Sequence, residues 1–202
     1  MRPSTLEKQN KILEIATELF LAQGYKETSL DQIVAQTGGS KQTLYRYFTN
    51  KEGLFEAVLV ANTKKVDPIF ALSETEGRSL QATLVQFGHD YLQLVCSNPI
   101  LGLFRIVSND FHAHPTIPQA FWEHGPCRAH ANLVRFLDSE WAQQSLAIPD
   151  AQRACEQLLA LFKQDHLSLA LLGQPLPEKA ALDGQITAAV EAFFMLYQRE
   201  GM

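Results

Sequence analysis

The run from Gln36 to Phe55, Q-T-G-G-S-K-Q-T-L-Y-R-Y-F-T-N-K-E-G-L-F, decides how this chain is read. Gly38 and Gly39 end one helix, because glycine takes the left-handed backbone that a helix C-terminus uses. Ser40 opens the next as an N-cap, and Leu44 and Phe48, one turn apart, give it a buried side. Helical geometry then turns Lys41, Gln42, Tyr45 and Arg46 to the opposite, exposed side. These are donors and flat rings where a plain surface helix carries Glu and Ala. A short capped helix behind a glycine turn, showing such a face, is suited to the major groove of DNA.

Outward from this run, Ile12, Ile15, Ala16, Leu19 and Phe20 recur at the spacing of an amphipathic helix that ends at Gly24. Ser29 with Gln32 forms a capping-box pattern ahead of Leu30, Ile33 and Val34. Thr49 with Glu52 repeats that pattern ahead of Leu54, Phe55, Val58 and Leu59. Asp67-Pro68 marks a boundary, since the residue before proline is pushed out of helical conformation. Further helices are predicted near 79–97, 99–110, 117–143, 150–172 and 178–200, and no strand alternation is sustained anywhere. The fold class is therefore all-α. An N-terminal helix-turn-helix domain, built on three helices and entering a fourth, spans 1–65. A C-terminal helical domain spans 66–202.

The 202 residues are 46% hydrophobic and 19% charged, the composition of a folded globular protein. Net charge is -5, which looks wrong for a partner of DNA until its distribution is followed. Residues 1–65 hold nine Lys and Arg against seven Asp and Glu, whereas the remainder holds eight against fifteen. A slightly basic head precedes an acidic body. The first residues show no signal-peptide pattern. The most apolar stretch, Leu158 to Leu172, is interrupted by Lys163, Asp165 and His166, while a bilayer crossing needs about 20 mostly apolar residues. The expectation is a cytoplasmic protein without a membrane partner. Cys96, Cys127 and Cys155 are odd in number and lack a C-x-x-C spacing, which argues for reduced thiols.

The exposed groups suggest a division of labour at DNA. Lys41 and Arg46 can reach guanine O6 and N7, Gln42 can pair with adenine N6 and N7, and Thr43 can offer a hydroxyl or a methyl. Tyr45 and Tyr47 carry phenols suited to phosphate oxygens, which position a protein without reading sequence. Thr28, Ser29 and Lys51 lie at helix starts, where free N–H groups and the helix dipole favour an anion.

The segment from Ile12 to Leu59, with A-T-E-L-F-L-A-Q-G-Y-K-E-T-S-L-D-Q-I-V-A-Q-T-G-G-S-K-Q-T-L-Y-R-Y-F-T-N-K-E-G-L-F at its centre, resembles the DNA-binding domain of the TetR family of bacterial transcriptional regulators. The resemblance implies major-groove residues at Lys41, Gln42, Thr43 and Arg46. It implies phosphate contacts at Thr28, Ser29, Ser40, Tyr45, Tyr47 and Lys51. Gln36 and Thr37 depart mildly from the family pattern. The stretch from Phe87 through L-F-R-I-V-S-N-D and P-Q-A-F-W-E-H-G-P to Leu172 is similar, more loosely, to the C-terminal domain of the AefR-like branch. What this implies is a homodimer formed through the last two helices and a transcriptional regulator, most often a repressor, that leaves a palindromic operator when a small apolar effector binds. A nucleoid or division factor is the alternative DNA-binding reading.

Two helices with broad apolar faces fit that dimer: Leu158, Leu159, Phe162, Leu169 and Leu172, then Ile186, Ala189, Val190, Phe193, Phe194 and Tyr197. An ordinary intrachain core would use the same residues. Phe87, Tyr91, Phe104, Phe111, Phe121 and Trp122, with Arg105, are candidates for lining an effector cavity, against plain core packing. His112, His114, His124 and His130 show no metal-site spacing, so no metal or other cofactor is expected. Cys127 with His130, and Cys155 with His166, lack a third orienting group, and the chain is not read as an enzyme.

Overall fold

The computed structural model describes residues 5–64, 67–74, 77–110 and 116–198. Chain order gives α1 (Thr5–Glu27), α2 (Leu30–Thr37), α3 (Lys41–Tyr47), α4 (Lys51–Lys64), α5 (Asp67–Phe70), α6 (Leu80–Val95), α7 (Asn98–Asp110), α8 (Thr116–His124), α9 (Pro126–Leu137), α10 (Glu140–Ser145), α11 (Ala151–Lys163), α12 (His166–Leu171) and α13 (Lys179–Leu196). Among the described residues the only β-type pairing is a single bridge between Leu146 and Gln198. The all-α reading of the sequence is thus met.

Two predicted helices are subdivided. The span 117–143 becomes α8, α9 and α10, because Gly125-Pro126 breaks it and Ser139 caps a new start by accepting the Ala142 N–H. The span 150–172 turns at Gln164, whose φ of 38° lies outside the helical region, to give α11 and α12. Apolar periodicity continues on both sides of each break, which hides the corner from a pattern search.

The chain forms two compact units. The first joins Met1–Lys65 to Gly102–Pro126, and the second joins Val66–Leu101 to Cys127–Met202. The segment 102–126, read from the sequence as part of the C-terminal domain, packs with the N-terminal residues. The reason is chemical. Leu103, Ile106, Val107, Ile117 and Ala120 bury their side chains in the same cluster as Ile12, Ala16, Phe20, Leu54, Phe55 and Val58. Phe20, Tyr25 and Phe55 form the aromatic heart of that cluster, with centroids 4.8 to 5.8 Å apart. The α7 backbone passes so near α1 that a Cβ on Gly102 would overlap the Leu21 side chain.

The second unit is organised by α6, α11 and α13. Phe70, Phe87, Tyr91, Leu158, Phe162, Ile186, Val190 and Phe193 are all buried in one cluster. Close approach is made possible by Gly88, where a Cβ would lie 2.7 Å from Phe162 and 2.8 Å from Ile186. His89 meets Asp183 at 3.3 Å beside this crossing. The Ala147 N–H donates to the Tyr197 carbonyl at 2.9 Å and ties the loop after α10 to the end of α13.

Candidate nucleic-acid interface

The α2–α3 corner is set by local hydrogen bonds that the sequence encodes. Ser29 Oγ accepts the Gln32 N–H at 3.2 Å, while Gln32 Oε1 accepts the Ser29 N–H at 2.7 Å. This reciprocal pair satisfies two donors that the start of a helix leaves free. At the far end Gly38 adopts φ 68°, and its N–H closes on the Val34 carbonyl. Ser40 Oγ then accepts the Thr43 N–H at 3.2 Å and lies 3.0 Å from the Thr43 hydroxyl. Leu44 and Phe48 are buried in the head's core, so α3 is anchored by one side only. Lys41, Gln42, Tyr45 and Arg46 are exposed, and Thr43 and Tyr47 are half-buried.

Within that face the charged groups already have partners. Lys41 Nζ sits 2.7 Å from Asp31 Oδ1, a pair that joins the first turns of α2 and α3. The hydrogen bond and charge of Asp31 hold the Lys41 ammonium above its ordinary pKa. Arg46 donates to the Tyr47 hydroxyl at 3.0 Å, and its guanidinium lies 5.0 Å from the Tyr47 ring centroid. Lys51 donates to the Lys26 carbonyl at 3.0 Å and lies 4.5 Å from the Tyr25 ring centroid. It serves the C-terminal end of α1, where a cation is favourable to the helix dipole.

Thr28 differs from expectation. It is 1% exposed, and its hydroxyl donates to the Gly24 carbonyl at 2.8 Å, so the side chain serves the break in α1 rather than an anion. Ser29 and Ser40 remain exposed, with their oxygens engaged as caps. The start of α4 differs as well. Asn50, not Thr49, takes the cap role by accepting the Gly53 N–H at 2.8 Å, and Glu52 instead receives the hydroxyl of Thr116. Asp31 is the residue that the sequence reading passed over, since an acid in a first helical turn ordinarily signals no more than dipole complementarity.

Residues 12–58 match the family described as bacterial regulatory proteins, tetR family, and residues 82–199 match the C-terminal domain of the AefR-like transcriptional repressor. The chain belongs to the TetR family. The chain is 38% identical over 90 residues to the transcriptional repressor ComR of Escherichia coli, covering 43% of this chain and 41% of ComR. It is 43% identical over 51 residues to the regulator QacR of Staphylococcus aureus, covering 25% of this chain and 27% of QacR. These matches span less than half of either relative. Over nearly the whole chain, similarity is to solved structures. A TetR-family regulator from Mesorhizobium loti superposes with a TM-score of 0.86 at 25% identity, covering 98% of this chain and 100% of that one. The flavonoid-responsive regulator FrrA gives 0.83 at 29% identity, covering 96% and 98%.

The candidates for an effector site in this TetR-family chain fall into both units. Phe87 and Tyr91 stack 5.9 Å apart and pack with Phe70 and Phe162 inside the second unit's core. Burial drives the Tyr91 phenol well above its usual range. Phe104 and Phe121 meet edge to face at 6.0 Å in the first unit, while Arg105 and Trp122 are exposed there. Phe111 lies outside the described residues, as do His112 and His114. His124 lies 3.9 Å from Glu56 in the first unit, and His130 belongs to the second. Among the described residues no three or more His, Cys, Asp and Glu are grouped for a metal. No described helix is long and apolar enough to cross a membrane.

Most of the dimerisation candidates lie in the chain's own core. Leu158, Leu159, Phe162, Ile186, Ala189, Val190, Phe193 and Tyr197 are all buried among the chain's own helices, because α11 and α13 pack on α6 and on one another. Leu169 is the exception and is exposed, as are Leu172 at 78%, Met195 at 75% and Leu196. Exposed apolar side chains are thus found on α12, just beyond it and at the end of α13. Nucleophilic chemistry at Cys155 runs against its surroundings. The thiol is buried with its sulfur 3.9 Å from the His130 carbonyl, and its pKa is pushed up to about 12 where a nucleophile needs the thiolate. Cys127 is exposed, and His166 is buried.

Proposed function

We propose that this TetR-family chain is a homodimeric transcriptional regulator, acting as a repressor, that reads a palindromic operator with α3 and releases it when a small apolar effector occupies the C-terminal domain. The observation that carries the reading is the one-sided anchoring of α3. Leu44 and Phe48 hold it in the core, and the residues turned outward are Lys41, Gln42, Tyr45 and Arg46, with two tight caps fixing the entry angle. Lys41, Gln42, Thr43 and Arg46 would then serve bases, and Tyr45 and Tyr47 phosphates. One seven-residue helix spans too few base pairs for selectivity, so two copies related by symmetry would meet half-sites about 34 to 36 Å apart, or a multiple of that spacing.

The first test is binding by fluorescence anisotropy to duplexes enriched from a randomised pool. Gln42→Ala should change which bases are tolerated at one position of each half-site, at a cost of about 1 to 3 kcal/mol for the preferred base. Equal weakening on every duplex would remove Gln42 from base reading. Equal affinity of the unaltered protein for enriched and random duplexes would favour an architectural role in place of regulation. For the effector, the name of FrrA makes flavonoids a sensible first class of planar aromatic compounds. An effector must bind the free and DNA-bound states unequally, since equal affinity shifts nothing. A dose-dependent loss of anisotropy with an added flavonoid would support release.

A further inference from the structure

We propose that Asp31 is a specificity-determining residue, which holds Lys41 away from phosphates and yields it only to a base edge that offers directed acceptors. The inference rests on the DNA-binding reading of α3 and goes beyond it by assigning a role to an acidic side chain on the reading surface. Asp31 lies in the first turn of α2, and Lys41 is the first residue of α3. Their 2.7 Å contact bridges the two helices of the motif, and both side chains are exposed, so DNA can compete for the cation. At that length the bond is charge-assisted. The raised pKa of Lys41 agrees with a cation stabilised by its neighbour. Arg46, by contrast, rests on the phenol and ring of Tyr47, which are neutral.

The physical argument compares two kinds of complex. Binding to arbitrary sequence is driven by counterion release from neutralised phosphates. A lysine already neutralised by a carboxylate gains little by exchanging that partner for a phosphate, another group of one negative charge spread over two oxygens. The carboxylate left behind is then repelled by the DNA. A guanine edge returns two acceptors, O6 and N7, in fixed directions, which can offset the lost ion pair. Asp31 therefore weakens sequence-independent binding more than binding to the preferred site, and the ratio between them rises.

Two probes separate the terms: a 30-base-pair duplex of random sequence, and a duplex enriched by the unaltered protein from a randomised pool. Anisotropy titrations at several KCl concentrations are made with the full chain, Asp31→Asn, Asp31→Glu, and Asp31→Asn in a Lys41→Met background, with Glu18→Gln as a charge-matched control. Thermal unfolding of each variant verifies that it is folded. Asp31→Asn should tighten the random duplex about five- to tenfold and steepen its salt dependence by about one ion, with a smaller gain on the enriched duplex. Asp31→Glu should behave as the unaltered chain, and the differential gain should vanish in the Lys41→Met background, because the effect passes through that pair. An unchanged ratio in Asp31→Asn, an equal gain from Glu18→Gln, or the same differential gain without Lys41 each overturns the assignment of Asp31 while leaving DNA binding intact. Failure of the unaltered chain to bind either duplex at low salt would instead overturn the DNA-binding reading and, with it, this one.

Discussion

At the scale of single residues, Cys155 shows how burial sets chemistry. Its thiol lies among Leu158, Leu159 and the other apolar groups of the second unit, and desolvation of the charged form pushes the pKa from 9.0 up to about 12. The folded state therefore keeps the proton at pH values where the unfolded chain has lost it. Stability contributed by the neutral thiol is intact below about pH 9 and falls as pH rises toward 12, since the unfolded state then binds fewer protons. Cys155→Ala should flatten that alkaline fall in urea titrations at pH 8 and 10.5. In the native chain a maleimide should modify exposed Cys127 quickly and Cys155 only on unfolding, which mass spectrometry of digested samples will show. Fast labelling of Cys155 without unfolding would contradict the burial argument. Its reactivity was not legible in the sequence, because spacing to a histidine says nothing about the dielectric around a sulfur.

At the scale of elements, caps and corners decide how much could be read in advance. The Ser29–Gln32 box, the Gly38 terminus and the Ser40 cap are bonds between residues no more than four apart, so residue type and spacing contain the whole interaction. The Thr49–Glu52 pattern had the same spacing but lost to Asn50, whose side chain stands one residue closer to the helix. Helix crossings depend on partners far away in the chain and leave weaker traces. Gly88 is such a case, lying unremarked inside the predicted 79–97 helix and serving in the fold as the point where Phe162 and Ile186 come nearest. Gly88→Ala should destabilise by about 1 to 3 kcal/mol through overpacking, a cost larger than the roughly 1 kcal/mol that alanine gains in helix propensity. A lower urea midpoint at unchanged slope is the expected result. A raised midpoint would mean that Phe162 and Ile186 move aside cheaply.

For the molecule as a whole, apolar content was a good guide to which helices are buried and a poor guide to what buries them. Most residues assigned to a dimer because their helices are apolar over much of their circumference are buried in the chain's own core, Leu169 excepted. Leu169 on α12, Leu172 just beyond it, and Met195 and Leu196 at the end of α13 are exposed. If a second copy covers α13, Met195→Glu should shift sedimentation toward the monomer with helix content unchanged, and DNA affinity should drop with it. Dimers that survive the change would place the contact elsewhere. The family and the outward-facing residues of α3 were legible because both are written in one continuous stretch. The pairing of Lys41 with Asp31 was not, since it depends on the angle between two helices.

The union of Met1–Lys65 with Gly102–Pro126 bears on how this protein can be taken apart. A head excised at residue 65 would lose Leu103, Ile106, Val107, Ile117 and Ala120 and leave Ile12, Phe20 and Phe55 with part of their cover stripped. Such a fragment should melt broadly and at lower temperature than one to which residues 102–126 are tethered. Calorimetry of the two will show this, and equal transitions would make the segment dispensable. Exchange of reading heads between relatives must for the same reason graft two separate pieces of chain. In this protein the compact unit that carries α3 is discontinuous in the gene.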